Sequence, residues 1–404
     1  MRISELCAEN QKDIRLASEP TSPQLPTTTS TLPKFPLDFG SIRSMVEYRF
    51  GLMDAYVDVN GLATFVVQQE PIKEKFQELL HDLANHNLSA GIRNISEKLV
   101  ISVFPKRRVG KPRNKINLIL FLATIGTVAV ASYLQVFNVD PRLMATVFVK
   151  SNLVDEVVFV TLAIFGIVAT HEMGHVLANR YHRMDASLPY FLPAPPFPFG
   201  TFGAVISLRS PPANRDQLFD LGFSGPIAGF MATIVVTVVA YLTAPVISEQ
   251  DAAKLIAANL LSYQPWPYMP LFMDLIGQLG LRTVPTGHIL ILTQLAFAAE
   301  FGALITFLNI LPVWQLDGGH IARATLGTKG HRITALIGFA VLFAAGYYYP
   351  GYWGFALFLA ALMFLSRRPL EGMEPLDDVS PLSNSRKVLF VAAWVMFVLT
   401  LVIF

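Results

Sequence analysis

The sequence predicts a polytopic α-helical membrane protein of about six to seven spans, with a small α+β soluble domain at its N-terminal end. Of the 404 residues, 53% are hydrophobic and 15% are charged, and long apolar stretches recur from residue 116 onward. Soluble domains are about one quarter charged, so most of this chain is expected to contact lipid. The net charge of +2 does not indicate a nucleic-acid partner.

The N-terminal third divides into three expected parts. Residues 1–42 are polar and include a Ser/Thr/Pro-rich tract, which predicts a disordered tail. A transit peptide is the alternative, but the tail is too acidic for one. Residues 43–105 are expected to form the small α+β domain. There, Asn60-Gly61 favours a hairpin, Pro71 opens an amphipathic helix, and two β-rich runs follow. No catalytic or metal-binding set occurs in this domain, so substrate filtering and fold stabilisation both stay open as its role.

Residues 106–115 form a basic linker with six positive charges directly before the first apolar stretch. Such clusters mark the cytoplasmic side of a membrane, so the N-terminal domain is expected to be cytoplasmic and the protein to lie in the cell membrane. Residues 116–404 are expected to form the transmembrane domain. Its predicted spans are 116–136, 154–179, 218–246, 289–311, 333–349, 353–365 and 388–404.

The second predicted span contains the sequence His-Glu-Met-Gly-His, from His171 to His175. On a helix, His171 and His175 stand on one face, with Cβ atoms about 5–6 Å apart, which suits two bonds to one zinc ion. Glu172 lies beside them, within reach of a water but outside the ligand pair. Ionisable groups on an apolar helix are costly unless they are paired or coordinated, so a metal site is expected rather than two polar caps.

A catalytic zinc site takes three protein ligands, and the fourth predicted span supplies the third candidate. Asp317 lies at the cytoplasmic end of that span, at the same membrane face as His171. Pro312 interrupts the helix before it, and Gly318-Gly319 would give the backbone freedom after it. His320 is the alternative ligand and ranks second. Because Cys7 is the single cysteine, neither an internal disulfide nor a site with several cysteine ligands is expected.

These two motifs resemble the paired signatures of the site-2 protease family of intramembrane zinc metalloproteases. The second signature reads Asn309-Ile-Leu-Pro-Val-Trp-Gln-Leu-Asp317-Gly. The resemblance implies one Zn²⁺ per chain held by His171, His175 and Asp317, with Glu172 as the catalytic acid/base. It also implies that Asn309 holds the substrate or the developing oxyanion.

The likeness covers roughly residues 110–385, and residues 200–229 resemble the archaeal, cyanobacterial and plastid branch of the family. The loop between the third and fourth predicted spans is too short for the PDZ domain of many bacterial members. No paired CBS modules follow the last predicted span either. The regulatory inputs of those subfamilies are therefore not expected here.

Residues 200–209 alternate like a strand after a proline-rich run, which predicts a re-entrant hairpin beside the site. Its edge is expected to accept an unwound substrate; a plain cytoplasmic loop is the alternative. The expected function is hydrolysis of peptide bonds in or near the transmembrane segments of membrane-protein substrates within the bilayer. A catalytically inactive scaffold or chaperone of the same fold, and a metal transporter, are the alternatives.

Overall fold

The computed structural model describes residues 35–69, 71–106, 114–147, 152–196, 199–261, 269–348, 351–365 and 373–401. Most of the predicted tail, residues 1–34, and most of the predicted basic linker, residues 107–113, lie outside the described residues.

The N-terminal domain is a four-stranded antiparallel sheet with two helices. Its elements are α1 (Phe39–Glu47), β1 (Leu52–Val57), β2 (Ala63–Val67), α2 (Lys73–Asn85), β3 (Leu88–Ile95) and β4 (Lys98–Pro105), with strand order β1-β2-β4-β3. Asn60-Gly61 connects β1 to β2 as predicted, and Gly61 has φ 75°. Helix α1 begins at Phe39, inside the segment expected to be a tail. The Asp38 side chain caps α1 by accepting from Ser41 N, and Ile42 is buried.

The core of this domain lies between the sheet and the apolar stripe of α2. Phe76, Leu79 and Leu83 recur at helical spacing and are fully buried. Phe65 of β2 and Ile101 of β4 pair across the sheet and are also fully buried. The expectation of a small β-sheet domain near the N-terminal end is therefore confirmed.

The rest of the chain is mostly helical. Its helices are α3 (Asn114–Phe137), α4 (Pro141–Val147), α5 (Leu153–Tyr181), α6 (Arg215–Thr243), α7 (Glu249–Ala257), α8 (Leu271–Gln278), α9 (Gln294–Ile310), α10 (Asp317–Tyr348), α11 (Gly351–Leu365) and α12 (Asn384–Thr400). Its strands are β5 (Tyr190–Pro193), β6 (Thr201–Val205), β7 (Val246–Ser248) and β8 (His288–Leu290).

Among the described residues, α3, α5 and α6 are long and apolar enough to cross a membrane, and α9 is a shorter apolar helix. A helix of 29 residues such as α5 is about 44 Å long, more than the roughly 30 Å of hydrocarbon in a bilayer. The chain is therefore an integral membrane protein, and the number of its spans stays a prediction.

Two of the predicted spans have different bounds in the structure. The fourth was expected to start at residue 289, but residues 288–290 form β8, which pairs with β7 in antiparallel register, and α9 starts at Gln294. The third was expected to reach residue 246, which lies in β7. Hydropathy does not separate an apolar strand from the end of an apolar helix. These two helix boundaries depend instead on the pairing of β7 with β8.

Helices α5 and α6 pack closely and form the centre of the membrane domain. A Cβ atom on Gly174 of α5 would lie 2.2 Å from the carbonyl oxygen of Ser224 on α6, so only glycine permits this approach. Small residues at such crossings let helix backbones meet. Helix α9 packs against both α5 and α6, and α10 packs against α6. The end of α9 and the start of α10 thereby reach the polar segment of α5, through Asn309 and Asp317.

Candidate metal centre

Helix α5 carries two histidines that point into the same space. His171 and His175 lie one turn apart, are 4% and 9% exposed, and bring their Nε2 atoms within 3.2 Å of each other. They lie within the last three turns of α5, so His171 is about 15 Å from the helix end at Tyr181. Both rings thus lie on one face of α5, as their spacing predicts.

Asp317 reaches these rings from a different helix than expected. Helix α9 ends at Ile310, a turn containing Pro312 follows, and Asp317 opens α10. Its Oδ2 atom lies 3.2 Å from His171 Nε2 and 3.3 Å from His175 Nε2. The turn includes Trp314 at φ 48°, in the left-handed region.

The two glycines after Asp317 do not give the backbone the freedom that the sequence suggested. Both are helical, and neither has a positive φ. A Cβ atom on Gly318 would meet the carbonyl oxygen of Ile310 at 1.8 Å. Gly318 is therefore required for close packing of the turn against the first residues of α10. The Asp317 carboxylate is thus held toward the two histidines by a fixed backbone.

The three donor atoms match the geometry of a zinc site. A tetrahedral zinc ion with bonds of about 2.0–2.1 Å separates its ligand atoms by roughly 3.3 Å. The three separations among His171 Nε2, His175 Nε2 and Asp317 Oδ2 are 3.2, 3.2 and 3.3 Å. Within the described part of the chain, these residues form the one group of three or more His, Cys, Asp or Glu side chains placed to share a metal ion. The residues present fit zinc.

Hydrogen bonding prepares His175 to be a ligand. Its Nδ1 lies 2.9 Å from the carbonyl oxygen of Leu221 on α6. A carbonyl oxygen only accepts, so Nδ1 carries the proton and Nε2 keeps its lone pair for a metal. The Nδ1 atom of His171 has no hydrogen-bond partner among the described residues. The polar contacts of His171 are therefore those of its Nε2 atom, with His175, Asp317 and Asn309.

Glu172 lies next to the ligand set, and its side chain occupies the space between α5 and a hairpin. Its side chain is 7% exposed, and the backbone N–H of Ala204 in β6 faces its carboxylate. Strand β6 pairs antiparallel with β5 through Tyr190↔Val205 and Phe191↔Ala204. The predicted hairpin is thus present beside the site, and the alternative of a plain loop is wrong.

Asn309 lies in the last turn of α9, with its amide nitrogen 3.3 Å from His171 Nε2. It therefore faces the same space as the three donors. His320, the second-ranked ligand, is not part of the group. Its Cβ lies against Gly222 of α6, 2.9 Å from the position that a Cβ atom would take there.

Sequence reasoning missed two backbone groups of the site: the Leu221 carbonyl, which accepts from His175, and the Ala204 N–H, which faces Glu172. Neither has a side-chain signal. The small residues of α6 are an indirect signal for the first contact, because they were expected to serve close helix packing. A Cβ atom on Gly225 would lie 2.1 Å from His175 Nε2, and one on Gly229 would lie 3.1 Å from His171 Nδ1. Gly225 and Gly229 therefore leave room for the imidazole rings of His175 and His171.

Comparison with known proteins points to one family. A family model described as Peptidase family M50 matches residues 159–345, which include all the residues of the candidate site. The chain is similar to the probable zinc metalloprotease EGY2, chloroplastic, of Oryza sativa subsp. japonica, with 26% identity over 308 residues, covering 74% of this chain and 53% of that protein.

Two relatives from Arabidopsis thaliana give a similar picture. The probable zinc metalloprotease EGY1, chloroplastic, is 28% identical over 306 residues, covering 71% of this chain and 52% of that protein. The probable zinc metallopeptidase EGY3, chloroplastic, is 25% identical over 296 residues, covering 70% and 48%. The chain thus spans about half the length of the curated relatives that it matches. No solved structure matches it.

Proposed function

Because residues 159–345 match the model of peptidase family M50, the family of the site-2 proteases, we propose that this chain is an intramembrane zinc metalloprotease. It hydrolyses peptide bonds in or near the membrane-spanning segments of other membrane proteins. The observation that carries this proposal is the set of three donor atoms at 3.2–3.3 Å, with a buried carboxylate, Glu172, beside them.

We assign the site residues as follows. His171, His175 and Asp317 hold one zinc ion per chain. When bound, zinc supplies Lewis-acid chemistry, which activates water and polarises a peptide carbonyl. Glu172 takes a proton from the attacking water and returns it to the leaving amide nitrogen. The amide of Asn309 donates to the oxygen of the carbonyl under attack, where negative charge develops.

Strand β6 lies beside Glu172 and connects the chemistry to substrate binding. Strand β6 has no strand partner on its outer edge within the described residues, and Phe202 and Val205 are 71% and 53% exposed. We propose that an extended stretch of substrate pairs with this edge. A helical substrate must unwind first, because its carbonyls are otherwise hydrogen-bonded.

The proposed orientation places the site toward the cytoplasm in a chain of about six to seven spans. The spans are α3, α5, α6, α9, the part of α10 after Gly327, α11 and α12. The supporting observation is that the N-terminal domain contacts the end of the membrane domain nearest the zinc ligands, through Lys73 and Asp216 at 2.7 Å. We place the protein in the cell membrane; a plastid membrane, suggested by the names of the relatives, is the other outcome of a fractionation experiment.

We propose the same division of the chain as the sequence suggests, with one change. The tail ends before α1 rather than at residue 42, since α1 starts at Phe39. The soluble domain then runs to residue 105, the basic linker occupies 106–115, and the metalloprotease domain occupies 116–404.

The test is proteolysis by the purified full-length chain in liposomes, with a fluorogenic transmembrane peptide as substrate. The wild type should contain about one zinc per chain and cleave the peptide. Glu172→Gln should retain zinc and lose cleavage by about 100-fold or more, because it keeps the side chain's size but not its basicity. Glu156→Gln, the same substitution at the other end of α5, is the matched control and should cleave like the wild type. Equal cleavage by all three proteins would contradict the proposal.

A further inference from the structure

Residues 374–380, here called the strap, join the N-terminal domain to the membrane domain. On one side, Ile92 of the edge strand β3 donates its N–H to the Leu376 carbonyl at 2.9 Å. On the other side, Leu376 N and Asp377 N donate to the carbonyls of Pro212 and Ala213 at 2.8 and 2.9 Å, just before α6. Leu376 is 8% exposed and belongs to the hydrophobic core of the N-terminal domain. The strap is therefore an integral part of both units.

The strap also carries a carboxylate that pairs with a buried arginine of α10. Arg323 is 1% exposed and donates to both oxygens of Asp378, at 2.9 and 2.7 Å. Arg215, the first residue of α6, donates to Oδ1 and to the carbonyl oxygen of Asp378, at 3.2 and 2.8 Å. A buried arginine without its carboxylate is an uncompensated charge, so this bidentate pair holds α10 against the strap.

Arg323, which pairs with Asp378, and the metal ligand Asp317 lie on the same short helical segment. Residues 317–326 of α10, here called the arm, run from Asp317 to a break at Gly327, which has φ 70° and ψ −171°. Arg323 is six residues beyond Asp317, about 9 Å along the helix. At the other end of the arm, a Cβ atom on Gly222 would lie 2.5 Å from the Asp317 carbonyl oxygen, so the arm packs directly on α6.

On the basis of the proposed zinc protease, we propose that Arg323 and Asp378 are positioning residues for Asp317. Their pairing fixes the arm along α6 and so fixes the third ligand relative to His171 and His175. The strap connects this pair to the N-terminal domain.

A second contact between the same two units bypasses the arm and supplies the control. Lys73 of α2 forms an ion pair with Asp216 of α6 at 2.7 Å, and Ser383 N donates to the other oxygen of Asp216 at 2.9 Å. Lys73→Met weakens the contact between the units without changing any residue that contacts α10. The Lys73 side chain is 36% exposed, so the loss of its ion pair with Asp216 should be tolerated.

The experiment measures zinc affinity by competition with a chelator, in full-length protein in detergent. Arg323→Met and Asp378→Asn should each lower zinc affinity by about 10–100-fold, the usual effect of losing a group that orients a metal ligand. The double variant should be little worse than either single variant, because both remove the same interaction. Arg323→Lys keeps the charge but not the bidentate geometry, so its affinity should lie between those of the wild type and Arg323→Met. Lys73→Met should bind zinc like the wild type.

Two results would overturn the inference. In the first, the wild type binds zinc and both cluster variants bind it equally tightly. In the second, the variants lower the unfolding temperature of the zinc-free protein while the folded fraction keeps wild-type zinc affinity, which is the behaviour of a merely structural pair. If Arg323→Met loses its helical circular dichroism, Asp378→Asn decides alone, because it preserves size and the strap's backbone bonds. A wild type that binds no zinc would instead contradict the proposed function.

Discussion

The glycine that faces His175 offers a graded test of how tightly α6 holds the metal site. In Gly225→Ala the new methyl group would lie 2.1 Å from His175 Nε2. Real Cβ contacts stay beyond 3.0 Å, so the imidazole or α6 must move by about 0.9 Å or more. Zinc–nitrogen distances tolerate only about 0.2 Å. We therefore expect the substitution to displace one ligand from the site.

Two opposing effects determine the size of the change. Alanine is favoured over glycine inside a helix by about 1 kcal/mol, which stabilises the variant. Displacement of a ligand should lower zinc affinity by about 10–100-fold or more, the range seen when ligand orientation is lost. That range corresponds to roughly 1.4–2.7 kcal/mol. Zinc affinity should fall clearly even where the helix itself is not weakened.

Two other glycines give the matched series. Gly229→Ala brings a methyl group to 3.1 Å from His171 Nδ1, which a shift of a few tenths of an ångström relieves. Gly166→Ala on α5 meets nothing within 4 Å and so reports the helix preference alone. Zinc affinity, measured by chelator competition, should decrease in the order Gly166→Ala, Gly229→Ala, Gly225→Ala. If Gly225→Ala bound zinc as tightly as Gly166→Ala, the close contact between α6 and the imidazole would be wrong.

The other predictions concern the ligand set, acid stability and topology. Asp317→Ala should lose most of its zinc in elemental analysis while His320→Ala keeps it; full zinc in Asp317→Ala would remove that residue from the ligand set. Burial alone would raise the pKa of Asp378, but hydrogen bonds and charges from its arginine partners outweigh this and hold the pKa below 3.8. Its stabilising effect should therefore be complete above about pH 5 and lost as pH falls through the lower folded-state pKa. Melting temperatures of wild type and Asp378→Asn should converge on acidification, and a constant difference would refute this. With the native cysteine removed, a cysteine at Asn60 should react with impermeant reagent only from the cytoplasmic side and one at Thr283 only from the opposite side.

The metal-binding residues were the most predictable part of the molecule. The spacing of His171 and His175 fixes their common face on any helix, and α5 is a continuous helix through both. The sequence placed Asp317 at the same membrane face as His171, and this placement requires only the order of the apolar segments. The helix that carries Asp317 was not predicted, because residues 312–332 are too polar to be recognised as a span, and Asp317 was therefore assigned to the end of the fourth predicted span.

The strap and the exact helix ends were beyond sequence reasoning for a physical reason. The strap is defined by hydrogen bonds among Ile92, Leu376 and Pro212, which are far apart along the chain. Such pairing leaves no local period in the sequence. Helix α1 was likewise missed, since its short apolar stripe follows a long polar tract and is stabilised by packing on the sheet.

X-ray absorption at the zinc edge of the purified full-length protein tests most directly whether His171, His175 and Asp317 form one zinc centre. We expect four-coordinate zinc with two imidazole nitrogens and oxygen ligands, all at about 2.0–2.2 Å, and no sulfur. In Asp317→Ala any remaining signal should show a loss of oxygen ligation with the two imidazoles retained. A spectrum with sulfur ligation, or with zinc bound by oxygen alone, would contradict the assignment of this centre.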